Sequence, residues 1–141
     1  MRAVVSRVLS ASVTVEDEVI AELPTPGLLV LLGVTHDDGP DEVAWLANKV
    51  WTLRILRAER SACDVAAPIL VVSQFTLYGD ARKGRRPTWE AAAPAASSEP
   101  VYEDFCSALE SLGATVLRGL FGAEMVVASR NDGPMTVLLE R

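Results

Sequence analysis

Only one histidine, His36, occurs in the 141 residues. A Ser–His–Asp or Cys–His site would have to use it. It stands beside Asp37 and Asp38, between a strand and a helix start, and reads as a surface turn or an N-terminal cap. The two cysteines, Cys63 and Cys106, are far apart and in no CxxC spacing. That argues against a disulfide framework and a zinc site, and for buried free thiols. No carboxylate and histidine cluster has metal spacing, so no metal is expected. The glycines form neither a P-loop nor a dinucleotide fingerprint, and no cofactor is expected. The longest apolar run, Leu28 to Leu32, is too short to span a bilayer. The segment Met1–Arg7 carries a charge every few residues and lacks the apolar core of a signal peptide. A soluble cytoplasmic protein without a membrane partner is the default expectation.

What is present is globular in composition: half the residues are apolar and 23% are charged. The length fits one domain, 1–141. Formal net charge is −6, which argues mildly against nucleic acid, but the charge is uneven. Arg82, Lys83, Arg85 and Arg86 place four of the thirteen basic residues within five positions. Screening limits distant charges to about one Debye length, ~8–10 Å, so a local patch can bind phosphate on an acidic protein. A merely solvated basic loop is the plainer reading.

Along the chain, Arg2 to Val8 and Ala11 to Val15 read as two short strands, the second alternating with period two. Val19 to Glu22 is a return strand. Gly27 to Val34 is apolar throughout, as in a strand buried on both faces. A helix starts after Asp37-Asp38-Gly39-Pro40-Asp41 and fades near Leu53, with Val43, Leu46, Ala47 and Val50 on one face. Residues 57–67 read as a loop and Ile69 to Ser73 as a buried strand. Gly79 to Pro87 is a loop, and Trp89 to Ala96 reads as a single helical turn. Ser97 or Ser98 would cap a second helix ending at Gly113. Ala114 to Arg118, Met125 to Ser129 and Met135 to Leu139 are three last strands. The fold class is α/β (α+β), with bent sheets or a partial barrel packed with two helices.

Two segments do not look like ordinary core. Ser73-Gln74-Phe75-Thr76-Leu77-Tyr78 puts polar groups at the end of an apolar strand, a common place to present them to a pocket. The alternative is a strand whose polar side faces water. Asn131-Asp132-Gly133-Pro134-Met135-Thr136 holds a Gly-Pro break between strands, which as a bare sequence is a trans turn linking them.

Together with Arg82-Lys83-Gly84-Arg85-Arg86-Pro87, Phe121-Gly122-Ala123, the N-terminal Arg2–Val8 and the strand Gly27–Val34, these segments resemble the D-aminoacyl-tRNA deacylase family. The likeness covers nearly the whole chain in the family's order. Two positions depart from it: Ser6 stands where the family usually has Gln, and 57–67 is shorter than usual and lacks a common Met-Asn pair. The resemblance implies a homodimeric hydrolase that cuts the ester joining a D-amino acid, or glycine, to the terminal adenosine of tRNA. It implies a cis Gly133-Pro134 bond, with this pair reaching into the pocket that holds Ser73-Gln74-Phe75-Thr76 of the other subunit. Arg7 would hold the Gly-Pro turn, while Phe121, Ala123 and Met125 would join the substrate pocket. Arg82, Lys83, Arg85 and Arg86 would bind the acceptor-stem phosphates.

The residue types suit that task. A filter for chirality must accept many side chains but one hand at Cα. Backbone carbonyls can bind the α-ammonium and fill the space an L side chain needs, and glycine has nothing to clash. Thr76 is the one side-chain nucleophile, and no base stands near it in sequence. The alternative is an oxyanion hole from backbone N–H groups near Gln74 and Phe75, with water attacking and the ribose 2′-hydroxyl assisting. A Thr-nucleophile esterase and a non-catalytic RNA-binding module remain the competing readings.

Overall fold

The computed structural model describes every residue, Met1–Arg141. Buried and half-buried positions alternate along Arg2–Val15, and this produces β1, a single 14-residue strand. The two short strands expected there are therefore one. What joins them is β6 (Val126–Glu140), which pairs with β1 over nearly its whole length. The other edge of β1 is shared. β3 (Gly27–Gly33) pairs with its first half and β2 (Glu18–Leu23) with its second, all antiparallel.

β4 (Ile69–Ser73) lies parallel to β3, and β5 (Val116–Arg118) parallel to β4. The six strands make one bent, nearly closed, barrel-like sheet. β3 and β4 are its middle, which explains their unbroken apolar runs.

Two long helices cover one face. α1 (Pro40–Thr52) starts at Gly39, whose N–H donates to Glu42 Oε2 at 3.1 Å. Its residues Val43, Leu46, Ala47, Val50 and Trp51 are buried at helical spacing. α3 (Ala95–Ser111) packs beside α1 through Tyr102, Phe105 and Leu109. These side chains meet Val5, Leu28, Val30 and Val71 in the main core. A smaller core fills the inside of the sheet's curl, from Val8, Val13, Leu23, Leu29, Leu70 and Val72.

Three further expectations are corrected. First, residues 57–67 are not plain loop. They hold a 3-10 turn at Arg57–Glu59 and a short helix α2 (Ala62–Val65), capped reciprocally by Ser61 and Asp64. α2 turns Ala62 inward and leaves Cys63 exposed, so only Cys106 is a buried thiol. Second, α3 begins at Ala95 after Pro94, ahead of the expected serine cap, and absorbs the end of the expected Trp89–Ala96 turn. Ser98 Oγ donates back to the Pro94 carbonyl at 3.1 Å instead of capping, and Pro100 lies inside the helix. Third, Met125–Ser129 and Met135–Leu139 are not two strands joined by a turn. Both halves run in one direction against β1, and the Gly-Pro segment bulges out of a continuous strand.

Candidate active site

Parallel strands leave a crevice outside their carboxyl ends, where ligands commonly bind. Here β3 and β4 end at Gly33 and Ser73, and a pocket of about 520 Å³ opens beside them. Ser73, Gln74 and Phe75 line it, as do Phe121, Ala123 and Met125 from the segment after β5. Trp89, Ser98 and Tyr102 complete it, and the sequence did not point to these three. Tyr102 could have been suspected as an aromatic on a buried helix stripe. Trp89 and Ser98 carried no signal, because only the fold brings their segment over the strand ends.

The polar segment leaves β4 and enters a 3-10 turn, Phe75–Tyr78. Gln74 N–H donates to the Leu32 carbonyl at 2.7 Å, which ties the segment to β3. The N–H groups of Phe75 and Thr76 make no bond within the protomer, as expected for the first positions of a helical turn. Gly33 lets this turn approach: a Cβ there would stand 3.1 Å from both the Gln74 carbonyl and Leu77 Cβ. Arg2 grips the far side, donating to the Leu77 carbonyl at 2.9 Å and lying over the Tyr78 ring.

Thr76 is exposed and does not line the pocket. Its hydroxyl accepts a hydrogen bond from Gln74 Nε2. No histidine, carboxylate or lysine is hydrogen-bonded to this hydroxyl, so it has no general base beside it within the protomer. His36 is occupied elsewhere, with Nε2 2.8 Å from the Glu90 carbonyl. Tyr102 is no acid either. Its hydroxyl donates to the Val71 carbonyl at 3.0 Å, and burial pushes its pKa well above the ordinary value.

The second segment lies outside this pocket in the same protomer. Gly133 and Pro134 are exposed, and their peptide bond is cis. Arg7 is buried beneath them. Its Nε donates to the Asp132 carbonyl at 3.1 Å and its Nη2 reaches the Gly133 carbonyl at 3.4 Å. The basic residues sit on a third site, the exposed loop 82–86. Arg82 is bonded to Asp80, which holds that carboxyl down to about 2, while Lys83, Arg85 and Arg86 make no ion pair.

The family model of D-Tyr-tRNA(Tyr) deacylase matches residues 4–140. The chain belongs to that family. Curated relatives named D-aminoacyl-tRNA deacylase agree over nearly the full length of both chains. The Thermobifida fusca protein is 63% identical over 140 residues and the Kineococcus radiotolerans protein 60%, each covering 99% of both. Among solved structures, one described as c-Myc DNA Unwinding Element Binding Protein is 37% identical with a TM-score of 0.93, covering 100% of this chain and 99% of its own. A second, a probable eukaryotic D-amino acid tRNA deacylase, is 16% identical with a TM-score of 0.84, covering 98% and 97%, and it shares the fold. No helix is long and apolar enough to cross a membrane.

Proposed function

We propose that this protein hydrolyses the ester between a D-amino acid, or glycine, and the terminal adenosine of tRNA, and that it works as a homodimer. The observation that carries the reading is the division of the site. One protomer has an open pocket at the ends of β3 and β4, and a separate Gly-Pro turn that faces solvent on an immobilised base. The turn of one protomer closes the pocket of the other. Its carbonyls receive the α-ammonium and occupy the space that an L side chain would need. β6 supports the dimer: its outer edge has no strand partner, and Val126 and Leu138 are exposed along it.

The chemistry rests on the backbone. The free N–H groups of Phe75 and Thr76 form the oxyanion hole, and one such donor is typically worth ~3 kcal/mol. Water attacks the ester carbon with the ribose 2′-hydroxyl assisting. Thr76 positions Gln74 and is not the nucleophile, since no base is hydrogen-bonded to its hydroxyl. Phe75, 56% exposed at the pocket rim, stacks on the terminal adenine. Lys83, Arg85 and Arg86, with Arg82, hold acceptor-stem phosphates without reading sequence.

A nucleic-acid-binding module without catalysis is the second reading, favoured by the name of the 37%-identical structure and by the basic loop. Release of tyrosine from D- and L-tyrosyl-tRNA separates the two. The enzyme frees the D form and spares the L form. Equal release of both hands, or of neither, overturns the proposal.

A further inference from the structure

The Gly-Pro turn is not held by the sheet. Ser6 pairs with Thr136 and Val8 with Asn131, so Asp132–Met135 stands opposite Arg7 alone. The ladder is broken there, and side chains do the holding. Resting on the reading of this turn as the chirality filter, we propose that Arg57 and Asp132 form a clasp that sets its position, which makes both of them positioning residues for the selection of substrate hand.

The clasp has an inner and an outer arm. The Asp132 carboxylate is only 12% exposed and lies 2.9 Å from Arg7 Nε on its inner side. On its outer side Arg57 closes over both oxygens, with Nε 3.0 Å from Oδ2 and Nη2 on Oδ1. Such two-point pairing fixes orientation as well as distance. Arg57 itself is 73% exposed, so the outer arm can be removed without opening the core. The same segment grips Arg7 from below, because the Ile55 carbonyl accepts from Arg7 Nη1 at 3.0 Å. Residues 55–57 thus contact the turn's two supports at once.

The backbone after Arg57 is unusual. Ala58 and Glu59 both have left-handed φ, 58° and 53°. Non-glycine residues rarely adopt this conformation, and it persists where the surroundings over-determine it. Two such residues in succession reverse the chain directly after Arg57. The two guanidiniums, Arg57 first, hold the Asp132 carboxyl below its ordinary range, so the clasp stays charged at neutral pH.

A steric filter depends on sub-ångström placement. Arg57→Ala leaves the Arg7 contacts in place and frees the outer side of Asp132. The turn then gains play, and an L side chain finds room. The expected result is a roughly tenfold fall in the D-to-L ratio of tyrosine release, chiefly from a rise in L release, below the ~100-fold that a 1 Å misplacement can cost. Arg57→Lys keeps the charge but not the fork, so its ratio lies between. Asp132→Asn moves the ratio in the same direction. The exposed outer arm is screened by salt. The wild-type ratio should therefore fall as salt is raised and the Arg57→Ala ratio stay flat, with tRNA binding cancelling in the ratio. A selective wild type with an equally selective Arg57→Ala variant overturns the clasp alone. A wild type that releases both hands equally overturns the filter and the clasp together.

Discussion

Gly79 offers a way to move the pocket rim without touching the core. It ends the Phe75–Tyr78 turn at φ −67° and ψ 130°, a conformation any residue adopts. Space, not torsion, demands glycine there. A Cβ would stand 2.5 Å from Trp89 Cζ3 and 3.0 Å from the Thr76 carbonyl. To reach ordinary contact the Trp89 ring must retreat by about 0.9 Å. That ring meets Phe75 edge to face, with centroids 5.4 Å apart, a contact worth ~0.5–1.5 kcal/mol. Alanine in a compatible conformation returns ~0.4–1 kcal/mol by restricting the unfolded chain. The two nearly cancel, so Gly79→Ala should shift Tm by less than about 4 °C. Activity should not cancel. With Phe75 no longer held at the rim, the proposed stacking on adenine should lose about 1 kcal/mol or more, which is roughly a five- to tenfold rise in KM. Because stacking is equal in ground and transition states, kcat should stay within about twofold. Steady-state release of D-tyrosine from charged tRNA reads both constants. In a Trp89→Leu background the ring is gone, so Gly79→Ala should cost nothing further. Unchanged KM in folded Gly79→Ala, or additive losses in the double variant, would refute the role given to the Phe75–Trp89 pair.

Thr76→Ala should lower kcat by less than about tenfold, since it removes only the acceptor of Gln74 Nε2; loss on the scale of about a millionfold, as for a true nucleophile, would restore the Thr-esterase reading. Reversing Arg85 and Arg86 to Glu should weaken tRNA binding and flatten its dependence on salt, measured by filter binding across a salt series; unchanged affinity removes the loop from the interface. Burial pushes the Cys106 thiol and the Tyr78 hydroxyl each up to about 12, while the unfolded chain ionises them near 9 and 10. The folded state holds the proton more tightly, so this contribution is intact below about pH 9 and is lost as pH rises toward 12. Urea melts at rising pH should show that decline, and Cys106→Ala should remove its earliest part. In the native protein Cys63 alone should react with a thiol reagent.

Sequence patterns revealed what repeats locally. β3 and β4 were legible because burial on both faces leaves an unbroken apolar run, and α1 because its apolar face recurs at helical spacing. The pocket's own strand end showed as the polar Ser73 and Gln74 directly after such a run. The start of α3 was hidden. Ser97 and Ser98 look like caps, but Ser98 bonds backward and the helix starts after Pro94. β6 was hidden for a related reason. Gly133-Pro134 reads as a chain reversal, and only the register against β1 makes it a bulge. Arg57 and Asp132 lie 75 residues apart, and no spacing rule links such a pair. Which N–H groups are free was also illegible, because the Leu32 carbonyl consumes the one on Gln74.

β1 explains why pocket and turn can act together. It is the only strand that pairs with both β3, next to the pocket, and β6, beneath the turn. Arg2 and Arg7 lie on this strand five residues apart, near opposite ends of the pairing with β3. Arg2 holds the Leu77 carbonyl of the pocket turn, and Arg7 holds the carbonyls of Asp132 and Gly133. Each turn is therefore fixed to one rigid, doubly paired strand. A two-fold dimer relates two copies of that strand by a rigid rotation. In the proposed dimer, the placing of one protomer's turn in the other's pocket then depends on the interface and on the Arg57–Asp132 clasp, because within each protomer both parts are referenced to β1. Such an arrangement suits a filter that works by exclusion: flexibility in the pocket floor or in the turn would blur the boundary between hands, whereas neither a triad nor a shaped side-chain pocket is needed to keep it.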